Sequence, residues 1–284
     1  MERIGVYGYE CSVEMSFDNF NLIPVNNNFS EVKKLASDND TYHLTAILEV
    51  SGSHKLRDLV FDLEAVLSFI DHRDVLIRNV LHKSEEFNNL EADFPLKINA
   101  HKRRSGGSSN IISDVFNKES RHSFIHLAMN KLSDSEDPEN KVFRSAFFKT
   151  VEVFRGRECF IDISYYLRFS ALESLARVIY NDYTSRTCAT PIAKLLIEYG
   201  FDIKQENLKE PYKSVTTYVE LRNALFHNGS FEVTVKRNGN QLVYKLSEYS
   251  SVFSRLILLV MIKYIGFDDG SINWNSWLDR IAFK

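Results

Sequence analysis

The run His101-Lys102-Arg103-Arg104-Ser105-Gly106-Gly107-Ser108-Ser109 constrains the fold more than any other stretch of the chain. Three consecutive cations followed by serine and glycine bury no apolar area, so these residues read as an exposed loop or linker. The apolar pattern changes across it. Before it, short β-branched and aromatic runs surround one helical stretch; after it, from Ile111 onward, the signal is mostly helical. With 284 residues, the chain reads as two domains, 1–105 and 118–284.

In the first half, residues 3–9, 11–16, 75–81 and 95–100 read as strands, as does Thr41 to Val50 (TYHLTAILEV). Between them Leu56, Leu59, Val60, Leu63, Val66, Leu67 and Ile70 recur at three- and four-residue spacing and predict an amphipathic helix over 55–70. In the second half helices are expected near 119–132, 139–154, 162–182, 190–199, 212–228 and 248–265, with a short one around Trp274 and Trp277. Asp137-Pro138 fits an N-cap followed by proline at the first helical position. One β element interrupts the helices. Residues 231–246 carry two alternating arms around Asn238-Gly239, a hairpin signal because both central residues of a type I′ turn need positive φ. The fold class is therefore an α+β N-terminal region followed by a mostly helical region with an inserted β-hairpin, which the resemblance drawn below makes an all-α helical-bundle domain.

Charge narrows the choice of partner. The 35 Lys plus Arg against 38 Asp plus Glu give −3, which argues against a protein that coats nucleic acid through bulk positive charge. Any polyanion must be met by a local patch. Lys97, Lys102, Arg103, Arg104, Lys118 and Arg121 face only Asp114 and Glu119 between 97 and 121, so Lys102, Arg103 and Arg104 are candidate RNA contacts. Cys11, Cys159 and Cys188 form no C-x-x-C pair, so neither a disulfide framework nor a zinc site is indicated. MERIGVYGYE lacks a secretory pattern, and Leu256 to Ile262 is far short of the roughly 20 apolar residues of a membrane span. The expectation is a soluble, reduced, cytoplasmic protein without a membrane partner or a cofactor.

The segment that carries chemistry runs from Thr217 to Gly229 (TYVELRNALFHNG), with Arg222, the polar Asn223, and His227 before an Asn-Gly helix stop. Positions five apart lie about 140° apart on an ideal helix, so Arg222 and His227 share a reaction centre only if the helix ends at the histidine. Histidine moves protons near neutrality and arginine holds anionic oxygens, a pair suited to a phosphodiester. Spacing alone proves little. With 17 arginines and 8 histidines, independent placement gives about half of one such match, and RHSFIH supplies a second with Arg121, His122 and His126. His122 and His126 lack the glutamate and third ligand of a helical zinc site. Context favours Arg222–His227, which follows a long helix, YYLRFSALESLARVIY, where Glu173 offers a carboxylate that can orient a cation.

Arg222, Asn223 and His227, together with Ala171, Leu172, Glu173 and Leu175, resemble the HEPN superfamily, particularly the Apea-like HEPN domains. Those domains carry R-x(4–6)-H on a late helix packed against an earlier one with an A-L-E-x-L-like stretch. The resemblance covers roughly residues 118–284. It implies a helical bundle that dimerises, bringing two motifs into one cleft, and metal-independent endoribonuclease activity in a toxin or antiviral setting, with an antitoxin or other regulator as partner. Arg222, Asn223 and His227 are then catalytic and Glu173 supporting. The hairpin at 231–246 departs from the pattern. Two other readings stand beside this one. The first is a non-catalytic helical binding or sensor module in which His227 caps carbonyls and Arg222 pairs with Glu220 or Glu173. The second is a toxin controlled by nucleotide modification from a separate nucleotidyltransferase.

Overall fold

The computed structural model describes residues 2–51, 56–81, 95–100, 105–156, 160–237 and 239–284. The expected Lys102–Arg103–Arg104 contacts, Cys159 and Asn238 lie outside them. A mixed α/β region is followed by a mostly helical region with an inserted hairpin. By its internal contacts the chain forms two compact units, 1–130 with 154–157, and 131–153 with 158–284.

The first unit is built on an antiparallel sheet. Its strands are β1 (Glu2–Tyr7), β2 (Met15–Ser16), β3 (Phe20–Pro24), β4 (Thr41–Val50), β5 (Leu76–Leu81) and β6 (Lys97–Asn99), in the order β2-β3-β4-β1-β5 with β6 pairing β4. Every residue of β4 from Leu44 to Val50 is buried, so the strand reads as a nearly continuous apolar run rather than an alternating one. Its two polar members are satisfied: Thr45 Oγ1 donates to the Val6 carbonyl, and Glu49 accepts from Arg3 Nε at 2.7 Å, its directly opposed residue on β1. Gly5 is fixed by the Tyr7 ring, since a Cβ there would lie 2.7 Å from the ring.

Helix α1 (Phe29–Ala36) follows β3, and α2 (Leu56–Asp71) precedes β5. The apolar spacing expected over 55–70 is the α2 helix. Leu63, Ala65, Val66, Leu67, Phe69 and Ile70 are all fully buried, which at about 1.5–3 kcal/mol for each large side chain makes α2 a main source of the unit's stability. Its polar residues tie it to the next strand, since Ser68 Oγ accepts the Val75 N–H and Glu64 Oε2 accepts the Ile77 N–H.

The helices that follow are α3 (Ser120–Ser133), α4 (Pro138–Arg155), α5 (Ile161–Tyr180), α6 (Ala189–Glu198), α7 (Val215–Asn228), α8 (Leu246–Ile265) and the short α9 (Ser276–Asp279). Asp137 caps α4 as its sequence suggests, its Oδ1 accepting the Glu139 N–H at 2.8 Å. The expected helix 212–228 is shorter. Pro211–Lys213 forms a 3₁₀ turn, and α7 starts after Ser214, whose backbone is extended. The hairpin is present as β7 (Glu232–Arg237) paired with β8 (Asn240–Lys245), and Gly239 in its turn takes φ +80°.

The core of the second unit forms where α5, α7 and α8 meet. Phe253 of α8 packs its ring 5.0 Å from both Tyr165 of α5 and Tyr218 of α7, and the Tyr165 hydroxyl donates to the Tyr218 carbonyl. All seven residues Leu256–Ile262 are buried, so the most apolar stretch of the sequence is the centre of a helix enclosed on every side. Among the described residues no helix is long and apolar enough to cross a membrane.

Candidate active site

Helix α7 ends where the Asn-Gly signal places its end. Gly229 takes φ +61°, a conformation that costs a glycine little, and its N–H and that of Ser230 close on the carbonyls of Leu225 and Ala224. His227 therefore stands in the last turn. Its side chain is exposed and carries no hydrogen bond among the described residues.

Arg222 sits one turn earlier and is held from several directions. Its Nη1 donates to Asn223 Oδ1 at 3.0 Å, and Nη2 lies 3.9 Å from Glu173 Oε2 on α5. The guanidinium lies between two rings, 5.7 Å from the Phe169 centroid and 5.3 Å from that of Phe226. Glu173 divides its oxygens, since Oε1 accepts Arg177 Nε at 3.0 Å while Oε2 faces Arg222. The closer partner of Glu173 is thus Arg177, and Arg222 keeps donors available with its side chain 29% exposed. Glu173, one of the two carboxylates considered for Arg222, faces it.

Cys188 is buried beside this group. Its thiol is pushed up from the usual range, first by burial and then by the Glu173 carboxylate, with Arg222 opposing. A neutral buried thiol of this kind is not a nucleophile.

The other R-x4-H spacing has different surroundings. Arg121 is buried, its Nη1 donating to the Glu10 carbonyl at 2.7 Å and its Nη2 lying 3.0 Å from Asp71 and 3.2 Å from the Glu10 carboxylate. Burial pulls its pKa down, but Asp71, then Tyr9 and Glu10, together outweigh burial and raise it. His122 stacks on Phe17 at 4.6 Å and bonds the Ser16 carbonyl, while His126 bonds Asn130 one turn along. Arg121 and His122 thus bond other elements of the first unit, while His126 is exposed and bonds within its own helix.

Beside the Arg222 helix end lies a cleft of about 360 Å³ lined by Asp162, Ile163, Tyr166, Leu225, Phe226, Gly229 and Phe231. The Tyr166 and Phe226 rings are 4.6 Å apart. Phe231, the residue before β7, is fixed at the base of the hairpin because its carbonyl accepts the Leu246 N–H at 2.8 Å. The hairpin thus places a ring in the cleft wall. The sequence reading missed these aromatic residues. Phe226, four positions after Arg222 and so on the same helix face, is the signal that points to them.

Comparisons with protein-family models, with curated proteins and with solved structures find no match.

Proposed function

We propose that this chain is a metal-independent endoribonuclease that works as a homodimer through Arg222, Asn223 and His227. One observation carries the reading. One helix, α7, carries an accessible arginine, propped by Asn223 and faced by Glu173, and an exposed histidine in its last turn.

The chemistry follows from what those groups can do. The 2′-hydroxyl of RNA attacks the adjacent phosphorus, forming the 2′-oxygen–phosphorus bond and breaking the bond to the 5′-oxygen of the next nucleotide. A histidine takes the 2′-hydroxyl proton, and a second histidine returns one to the leaving 5′-oxygen. The motif holds one histidine per chain, so a second copy supplies the other. Arg222 neutralises the charge that builds on the phosphoryl oxygens, with Asn223 holding its guanidinium in plane. Free RNA cleavage harms a host, so an antitoxin or other regulator is the partner that fits a toxin or antiviral setting.

RNA incubated with the purified protein in EDTA should yield fragments ending in 2′,3′-cyclic phosphate. His227→Ala and Arg222→Ala should each abolish them. Equal degradation by wild type and His227→Ala would sink the assignment.

A further inference from the structure

The cleft between α5 and the end of α7 has features that the motif chemistry does not use. Ile163, Tyr166, Phe226 and Phe231 are 54, 42, 44 and 51% exposed, so four large apolar side chains gather at one opening instead of scattering singly over the surface. Three of the four are aromatic. The cavity, at about 360 Å³, is at the small end of the range for ligand clefts and suits one flat group.

The charges around it are arranged asymmetrically. On the motif side, the Arg222 guanidinium lies 5.3 Å from the Phe226 ring, whose other neighbour is Tyr166. At the start of α5, Asp162 contributes a carboxylate to the lining; its Oδ1 accepts the Ile163 N–H at 2.9 Å. A cation at one end attracts a phosphate, while a carboxylate at the other repels it. The same carboxylate accepts a hydrogen bond from an exocyclic amine. Aromatic walls, an amine acceptor and an adjoining guanidinium match an unpaired nucleotide, with its base inside and its phosphate towards Arg222.

We infer that this cleft is a nucleobase subsite. Tyr166, Phe226 and Phe231 stack an unpaired base of single-stranded RNA next to the phosphate held by Arg222, and Asp162 favours bases bearing an exocyclic amine over uracil. The inference rests on the ribonuclease reading for its choice of ligand, but its test does not depend on cleavage.

The experiment uses the full chain carrying His227→Ala, which keeps RNA intact, and short single-stranded RNAs with 2-aminopurine placed at successive positions. Stacking quenches the fluorescence of that base. One position should be quenched on binding. Tyr166→Leu and Phe231→Leu, which keep apolar bulk but remove a ring, should each abolish the quench and weaken binding about tenfold. Asp162→Asn, which removes the charge and adds a donor, should remove the preference for oligocytidine over oligouridine. Unaltered quenching in both leucine variants, or equally tight binding of RNA abasic at the quenched position, would overturn the proposal. So would a loss of dimer on sedimentation with quenching intact, because the face would then belong to a second copy. Cleavage by the wild-type chain is scored separately. Cleavage without quenching overturns the subsite and leaves the nuclease reading standing. Quenching without cleavage supports the subsite and removes the nuclease.

Discussion

Arg121–His126 and Arg222–His227 share one spacing, both begin on a helix, and they differ in almost everything else. Arg121 is sealed among Glu10, Asp71 and the Tyr9 ring, where its Nη1 and Nη2 face internal acceptors. Arg222 is held by its neighbour Asn223 and by two rings, with a carboxylate only at 3.9 Å, and it stays within reach of solvent. The first arrangement uses a guanidinium to neutralise buried acids. The second holds one ready for an anion that is not part of the chain. Burial, not spacing, decides which task an arginine can take.

The widest gap between the two sites should appear in stability. Arg121→Met leaves the buried carboxylates of Glu10 and Asp71 without their cation, which should cost about 3–5 kcal/mol in urea unfolding. Arg222→Ala, at a partly exposed site, should cost no more than about 1 kcal/mol. Equal losses would mean that Arg222 is also a structural cation, and the contrast would collapse.

Activity should divide the histidines in the opposite sense. His227→Ala should slow RNA cleavage at least about 100-fold, the lower end of what a positioned acid or base supplies. His126→Ala should leave the rate unchanged, since its ring bonds only Asn130 among the described side chains. A rate that falls equally in both variants would break the comparison at its catalytic end.

How much of this could be read in the sequence depended on distance along the chain. Helix α2 was legible because its seven apolar positions repeat within sixteen residues. The inserted hairpin was legible from two alternating arms around Asn-Gly. Strand β3 and helix α1 were missed, because each is short and neither has a sustained apolar period. A local signal for α1 did exist. Asn28 precedes Glu31 by three, and its side chain accepts the N–H groups of Ser30 and Glu31 in a helix cap. The role of Arg121 had no local signal at all, since the Glu10 carbonyl it bonds lies 111 residues away. Arg222, Asn223 and His227 were legible because one helix end carries all three. The cleft rings of Tyr166 and Phe231 were not, because α5 and the hairpin base meet only in the folded chain.

The pH dependence of stability gives a finer separation. Glu10 and Asp114 are both raised above the usual carboxylate range, first by burial, with Arg121 opposing through its charge and, at Asp114, through its backbone N–H. A carboxyl that binds its proton more tightly in the folded state stabilises fully below its unfolded pKa, and that contribution is lost as pH rises through the folded value. Wild-type stability should therefore carry a component that falls as pH rises from about 4. In Arg121→Met the opposing cation is gone, so the falling limb should extend to higher pH. In Arg222→Ala it should stay where it is. Urea midpoints measured across the acid range read both, and an unmoved limb in Arg121→Met would show that Arg121 does not set these protonations.

The smallest effect tests whether Glu173 belongs with the buried acids or with the exposed site. Its bond to Arg177 spans four positions on α5, and both side chains are about one-fifth exposed. Such a pair contributes about 0.3–0.5 kcal/mol, and the 3.9 Å approach to Arg222 adds little in a solvated setting. Glu173→Gln keeps the side chain's size and its acceptor oxygen, so it should lower stability by no more than about 0.5 kcal/mol. Its effect should fall on the arginine. With the carboxylate charge removed, Arg222 is less neutralised and should hold an RNA phosphate at least as tightly, which a filter-binding assay in the His227→Ala background measures. A stability loss of several kcal/mol would place Glu173 in a network like that of Glu10 and Asp71. Weaker RNA binding at unchanged stability would instead mean that Glu173 sets the position of Arg222 rather than competing for its charge.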